Sequence, residues 1–300
     1  MITEKKIDNI NDKQINIKKK PVPQSNNLSL PLLFNTQLYI GSKGTGKTYK
    51  LVQLLKLYEE SPIKDENGIE YQIRTILICP TASSGANEIF KTLKSLNQEE
   101  DIHLEYSDEL ILKILNDIKI KQESFNEYLE YKKLYNKFKK MRNIDKLENE
   151  ELILLEEYDY MEPEEIFKDI KPEINFIIFD DLAGTSAYTK KSKSILNNLV
   201  IKHRHLKTNL IFTTQSFKVI PSIIRTNIDI YVIFKSSSYN EILNKIFEDI
   251  SGYIKKEDFI ELYEYATKER NDALIIINNS MGGNGTRFFL NWSRELFITH

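Results

Sequence analysis

The chain is poor in cysteine and glycine and has no long apolar run. Its single cysteine, Cys79, excludes an internal disulfide and any cysteine-built zinc cluster, and leaves the four histidines without thiolate partners. No apolar stretch approaches the roughly eighteen residues of a membrane span, and the opening residues "MITEKKIDNINDKQ" lack the apolar centre of a signal peptide. A soluble chain in a reducing compartment is expected. Charge of one sign is also lacking, since 42 Lys and Arg stand against 44 Asp and Glu. A global basic field for nucleic acid is thereby excluded, and any DNA contact must come from local patches. With 41% hydrophobic residues the chain can still bury a full core, as one large α/β domain with appendages or as two small ones.

Of only ten glycines, Gly41, Gly44 and Gly46 fall inside the eight residues "GSKGTGKT". This fits G-x-x-x-x-G-K-[ST], in which glycines let backbone N–H groups close around a polyphosphate. Gly41, Ser42, Lys43, Gly44, Thr45, Gly46, Lys47 and Thr48 form the candidate cradle, with Lys47 reaching the outer phosphates and the Thr48 hydroxyl on Mg²⁺. Lys43 either adds charge toward the phosphates or is a tolerated variable position. The apolar end of "PLLFNTQLYI" precedes the loop, and Leu51, Leu54, Leu55 and Tyr58 then share one helical face. Strand, glycine loop and helix is the context that a phosphate site requires.

Residues 1–28, rich in Lys, Asn and Asp and without apolar period, read as a disordered arm. Residues 29–107 form the first part of the core, with a strand "RTILIC" (74–79), a helix over "ANEIFKTLKSL" and a short edge strand at "IHLEY". Residues 108–170 are densely charged and nearly free of Gly and Pro, which predicts a helical insertion projecting from the sheet, with Leu134, Phe138 and Met141 at helical spacing. Its charge is most simply a solvated surface. Residues 171–300 resume the core with "INFIIFDD" (174–181), "TNLIFTTQ" (208–215), "IDIYVIF" (228–234) and "ALIIINN" (273–279) as strands, helices around 239–250 and 256–268, and a glycine-punctuated turn into "RFFLNW". Unbroken apolar runs suit parallel strands buried on both faces, and their alternation with helices predicts an α/β fold with a mostly parallel sheet.

The ends of those strands carry the chemistry. Asp180 is the candidate metal carboxylate and Asp181 the residue that orients or deprotonates water, although aspartates also cap turns after strands. Gln215, after Thr213 and Thr214, ends a buried strand where ligands sit in open α/β sheets. A cation on the developing γ-phosphate charge is sought in Arg204 of "KHRH", with Arg225 of "IIRTN" as second candidate. Arg204 equally fits a helix end complemented by basic residues, and its flanking histidines lack matched metal partners. Cys79 reads as a small buried apolar residue.

The order "GSKGTGKT", "TILICPT", "FIIFDD", "RH" before "IFTTQS", then "IPSIIRTN" resembles the genome-packaging ATPases of double-stranded DNA viruses and virophages, the poxvirus-type branch of the FtsK/HerA superfamily. The similarity covers about residues 31–235. It implies a RecA-like P-loop NTPase fold with an additional central strand, helices on both faces, and a ring of subunits with sites at their interfaces. ATP and Mg²⁺ are the implied cofactors, double-stranded DNA the implied substrate and a capsid or portal protein the implied partner. The implied setting is the host cytoplasm or viral factory and the assembling virion, with no membrane. By the same resemblance Lys47 and Thr48 serve phosphate and magnesium, Asp180 the metal, Asp181 water activation, Gln215 sensing, and Arg204 the arginine finger. Many superfamily members carry glutamate where Asp181 stands, one methylene longer, and the insertion does not map onto the family pattern. Other DNA-translocating ATPases, such as plasmid-transfer or chromosome pumps, are the alternative class, followed by a P-loop kinase, which would need an acceptor pocket and an arginine-rich lid. A GTPase would need N-K-x-D, and the nearest text, "NKFK" at 136–139, ends in lysine.

Overall fold

Apolar runs flanked by polar strand ends become the centre of one sheet. A computed structural model of the chain describes residues 23–25, 27, 30–80, 88–140, 147–188, 194–236, 239–252, 254–278 and 287–298. Among these residues the strands are β1 (Gln24–Ser25), β2 (Thr36–Ile40), β3 (Ile63–Lys64), β4 (Glu70–Ile78), β5 (Ile102–His103), β6 (Glu173–Asp180), β7 (Thr208–Thr214), β8 (Ile230–Phe234), β9 (Ala273–Ile277), β10 (Arg287–Leu290) and β11 (Arg294–Leu296). The α-helices are α1 (Lys47–Glu59), α2 (Asp108–Lys140), α3 (Asn149–Glu157), α4 (Pro163–Ile166), α5 (Ile195–Lys202), α6 (Ser222–Arg225), α7 (Tyr239–Ile250) and α8 (Lys256–Ala266).

The sheet runs β1-β3-β4-β6-β7-β2-β8-β9-β10-β11, with β5 beside β4. Its centre, β4-β6-β7-β2-β8, is parallel, and antiparallel strands extend both sides. β7 lies between β6 and β2, so the aspartate strand and the phosphate-loop strand are not neighbours. This is the additional central strand that the family resemblance implied.

Period-2 alternation divides the core between the two faces. Leu38, Ile40, Ile177, Phe179, Leu210, Phe212 and Tyr231 face one layer, covered by α2, α5, α7 and α8. Tyr39, Ile178, Ile211, Val232 and Phe234 face the other, covered by α1 through Leu51, Leu54, Leu55 and Tyr58.

Three expectations are revised. Most of the arm, residues 1–22, lies outside the described residues, but Gln24 and Ser25 pair with Lys64 and Ile63 at the sheet edge, and the Gln24 side chain accepts the Leu33 N–H at 3.2 Å. Of the helix expected over 86–96, only residues 88–90 are helical among the described residues, and 91–96 are turns and irregular backbone. The Ser95 N–H and hydroxyl donate to the Glu59 carboxylate at 2.8 and 2.6 Å, and the Ser95 carbonyl accepts the Thr75 N–H. These contacts with α1 and β4 replace helical hydrogen bonds and leave Phe90, Leu93 and Leu96 buried.

The charged segment is also not simply a projection. Ile111, Ile114 and Ile118 of α2 pack into the core beneath the sheet, and Arg74 of β4 holds Asp101 and Asp117. Only the far half of α2 forms a separate cluster, in which Tyr131, Leu134 and Tyr135 pack with Leu147, Leu155 and Phe167. Met141 lies outside the described residues.

Candidate nucleotide and metal site

β2 delivers its last residue, Ile40, to the C-terminal edge of the sheet, and the glycine loop turns there into α1. Gly41 must be bare, because a Cβ on it would stand 2.6 Å from Phe234 Cβ. Gly46, the N-cap of α1, has φ 88°, the left-handed region that glycine enters without cost. Backbone donors and the positive end of a 13-residue helix therefore face one point, as anion binding requires.

Lys47 folds over this loop, its ammonium donating to the carbonyls of Gly41 and Ser42 at 2.7 and 2.9 Å. Burial lowers its pKa from the usual lysine value, opposed by the charges of Asp181 and Asp180. Lysine and aspartates thus share one electrostatic neighbourhood.

β6 and β7 bring the carboxylates and the glutamine to the same edge. Asp180 is buried, 8% exposed; its Oδ1 accepts the Thr213 hydroxyl and its Oδ2 accepts the Cys79 thiol at 3.2 Å. Asp181 adopts φ 51°, and its N–H reaches both the carbonyl and the hydroxyl oxygen of Thr213, at 3.3 and 3.2 Å. Gln215 Nε2 donates to Asp181 Oδ2 at 3.0 Å. Thr213 of β7 thus holds the Asp180 carboxylate and the Asp181 backbone, while Gln215, just past the strand, holds the Asp181 carboxylate.

A cavity of about 570 Å³ joins these groups, lined by loop residues from Lys43 to Thr48 and by Asp180, Asp181, Thr213 and Gln215. Asp180 and the Thr48 hydroxyl supply hard oxygen donors, the set that suits Mg²⁺ beside substrate phosphates.

Arg204 is not in this cavity. It lies in the turn His203–Leu206 that precedes β7, at the opposite edge of the sheet. Its Nη2 donates to Asp229 Oδ1 at 2.8 Å, and Asp229 Oδ2 accepts the Thr36 N–H. His203, 3% exposed, sits beside it; its ring meets the carbonyls of Val200 and Phe34. The Arg225 guanidinium lies over the Phe217 ring, 5.4 Å from the centroid, and is likewise absent from the residues lining the phosphate cavity.

Sequence reading missed four residues that line the cavity: Cys79, Tyr49, Ile89 and Asn271. Cys79 is buried as expected, but its thiol touches the Asp180 carboxylate. Its position at the end of β4, on the edge that carries Asp180, was the available signal.

The family described as Poxvirus A32 protein matches residues 118–293, more than half of the chain. The chain belongs to the poxvirus A32 protein family. It is thus a member of the genome-packaging ATPases to which the motif order pointed. The matched stretch contains the aspartate pair, Gln215 and both arginines, whereas the phosphate loop stands outside it. No curated protein sequence matches this A32-family chain. Among solved structures it is similar to the genome packaging NTPase B204 from Sulfolobus turreted icosahedral virus 2 in complex with AMP, at 14% identity and TM-score 0.45, covering 86% of this chain and 96% of that one. It is also similar to EssC (ATPases 2 and 3) from Geobacillus thermodenitrificans, at 14% identity and TM-score 0.45, covering 86% of this chain but 39% of that one. A third is the cytoplasmic domain of the type VII secretion ATPase EccC from Thermomonospora curvata, at 13% identity and TM-score 0.44, covering 94% of this chain and 27% of that one.

Proposed function

We propose that this A32-family chain is an ATP-driven motor that moves double-stranded viral DNA into a preformed capsid, with ATP hydrolysed between subunits of a ring. The observation that carries the reading is the convergence of phosphate loop, paired aspartates and Gln215 on one cavity, with β7 tethering both aspartates.

In this reading the loop N–H groups and Lys47 hold the β- and γ-phosphates, Lys47 exchanging the Gly41 and Ser42 carbonyls for phosphate oxygens. Asp180 and Thr48 would hold Mg²⁺, which supplies charge neutralisation on the phosphates. Asp181 orients the attacking water and accepts its proton; the Gln215 amide, bonded to Asp181, lies where it can report an occupied γ-position. Arg204 stands about one strand length, roughly 23 Å at 3.3 Å per residue, from the Gln215 end of β7. It can serve the γ-phosphate only of a neighbouring subunit, and its 52% exposed side chain is available to one. A capsid or portal protein would receive the ring, in the host cytoplasm or viral factory. No helix among the described residues is long and apolar enough to cross a membrane.

The deciding experiment is ATP hydrolysis by purified protein with and without long double-stranded DNA, at concentrations spanning assembly. Stimulation by DNA that appears only with oligomer formation is expected; turnover indifferent to both DNA and concentration would overturn the motor reading.

A further inference from the structure

Sheet order dictates how a nucleotide lies in the cavity. β7 and β6, which carry Thr213, Gln215, Asp180 and Asp181, lie on one side of β2, and β8 and β9 lie on the other. The metal-side and water-side groups all belong to the first flank, so the outer phosphates of a bound triphosphate point there. Its nucleoside end must leave the loop toward the second flank.

The helix α1 repeats this polarity. Thr48 and Lys50 are separated by about 200° around the helix axis. Thr48 serves the metal side, while the Lys50 ammonium feels the charge of Asp272, which precedes β9.

Among the described residues that line the cavity, Asn271 alone comes from the second flank. It has φ 72°, is exposed, and its Cβ and Oδ1 stand 3.1 Å from where a Cβ on Gly46 would be. The turn that carries it is clamped: Asp272 Oδ1 accepts the Asn291 side-chain amide at 2.9 Å, and Ala273 and Asn291 exchange two further hydrogen bonds. Around Asn271 the backbone is anchored, yet its own side-chain amide has no hydrogen-bond partner among the described residues. An amide held against the phosphate loop, with donor and acceptor both unused, matches the hydroxyls of a ribose or the edge of a base.

We propose that Asn271 is the nucleoside-contacting residue of this site, its amide hydrogen-bonding the ribose or base of the bound nucleotide. The proposal rests on the reading of loop 41–48 as a nucleotide site. It adds the C-terminal hairpin β9–β10 to that site as the support of its nucleoside wall.

The test is calorimetric titration of ADP and of inorganic tripolyphosphate into the wild type, Asn271→Gly and Lys47→Ala. Glycine adopts φ 72° without strain, so the variant removes the amide and keeps the turn. Asn271→Gly is expected to weaken ADP roughly fivefold to tenfold, the loss of about one hydrogen bond, with tripolyphosphate unchanged. Equal losses for both probes would mean that Asn271 merely shapes the loop, and undiminished ADP binding would mean no contact; either overturns the proposal. If the wild type binds neither probe in a Lys47-dependent way, the nucleotide-site reading itself fails, and this inference with it.

Discussion

Replacing Arg204 by alanine removes an exposed cation and also takes one ion-pair contact from a buried carboxylate, and the two effects can be separated. Asp229 is 4% exposed, and its Oδ1 accepts the Arg204 guanidinium at 2.8 Å while Oδ2 accepts the Thr36 N–H. Breaking a fully buried pair costs about 3–5 kcal/mol. Because the arginine is 52% exposed, solvent screening reduces this to about 1–2 kcal/mol. At about 2.1 cal/mol/K per residue, unfolding the 300 residues carries an entropy near 0.6 kcal/mol/K, so Arg204→Ala should lower Tm by about 2–3 °C. Adding Asp229→Asn removes the buried charge that Arg204 faced and keeps an acceptor for Thr36, so the double variant should recover most of that loss. DNA-stimulated turnover should not recover, because the cation offered to the neighbouring subunit is still missing. Differential scanning calorimetry and steady-state ATPase assays on the wild type, Arg204→Ala and the double variant decide it. A double variant with restored turnover would make Arg204 a structural residue and end its assignment as a finger, and an unchanged Tm in Arg204→Ala would refute the pairing argument.

Lys47→Ala and Asp180→Ala should each abolish ATP turnover, with circular dichroism unchanged; measurable turnover in either would break the site as drawn. Thr213→Val keeps volume but removes the hydroxyl that donates to Asp180 and accepts from Asp181. At about 1–3 kcal/mol for such a loss, kcat should fall about tenfold to a hundredfold with KM little altered, and an unchanged kcat would exclude this positioning role. Burial lowers the pKa of His203 below 6.5 despite its bonds to Val200 and Phe34. The unfolded chain therefore takes up this proton first, so stability is full above about pH 6.5 and falls as pH drops from there through the folded value. Urea midpoints between pH 8 and 5 should decline less steeply for His203→Asn than for the wild type; parallel declines would mean that another group is responsible.

The edge of the sheet that carries the candidate site was largely legible in the chain because its signals are local. Gly41, Gly44 and Gly46 are set by backbone sterics within one turn, and β6, β7 and β8 announce themselves as apolar runs long enough to be buried on both faces. Asp180, Asp181 and Gln215 follow those runs directly, so their shared edge could be read without knowing strand order. Contacts between distant segments were not legible. The pairing of Arg204 with Asp229 joins a turn before β7 to the residue before β8, and no spacing rule links the two. Asn271 reaches Gly46 across more than two hundred residues of chain. The long charged segment misled because its apolar positions, Ile111, Ile114, Ile118 and Phe125, are sparse among charges. Their spacing of three, four and seven was nevertheless the mark of a helix with one buried stripe.

The two ends of the sheet constrain how copies of this chain can meet. Among the described residues β1 and β5, at one end, each pair through two residues, and β11, at the other, through three, with Arg287 of β10 bound to Glu295 of β11 across the ladder. Short margins bearing charge are poor templates for adding a strand from another molecule. A ring of these subunits would therefore close through helices and loops rather than by continuing one sheet into the next. Each sheet would then keep its own ladder of hydrogen bonds intact whatever its neighbours do.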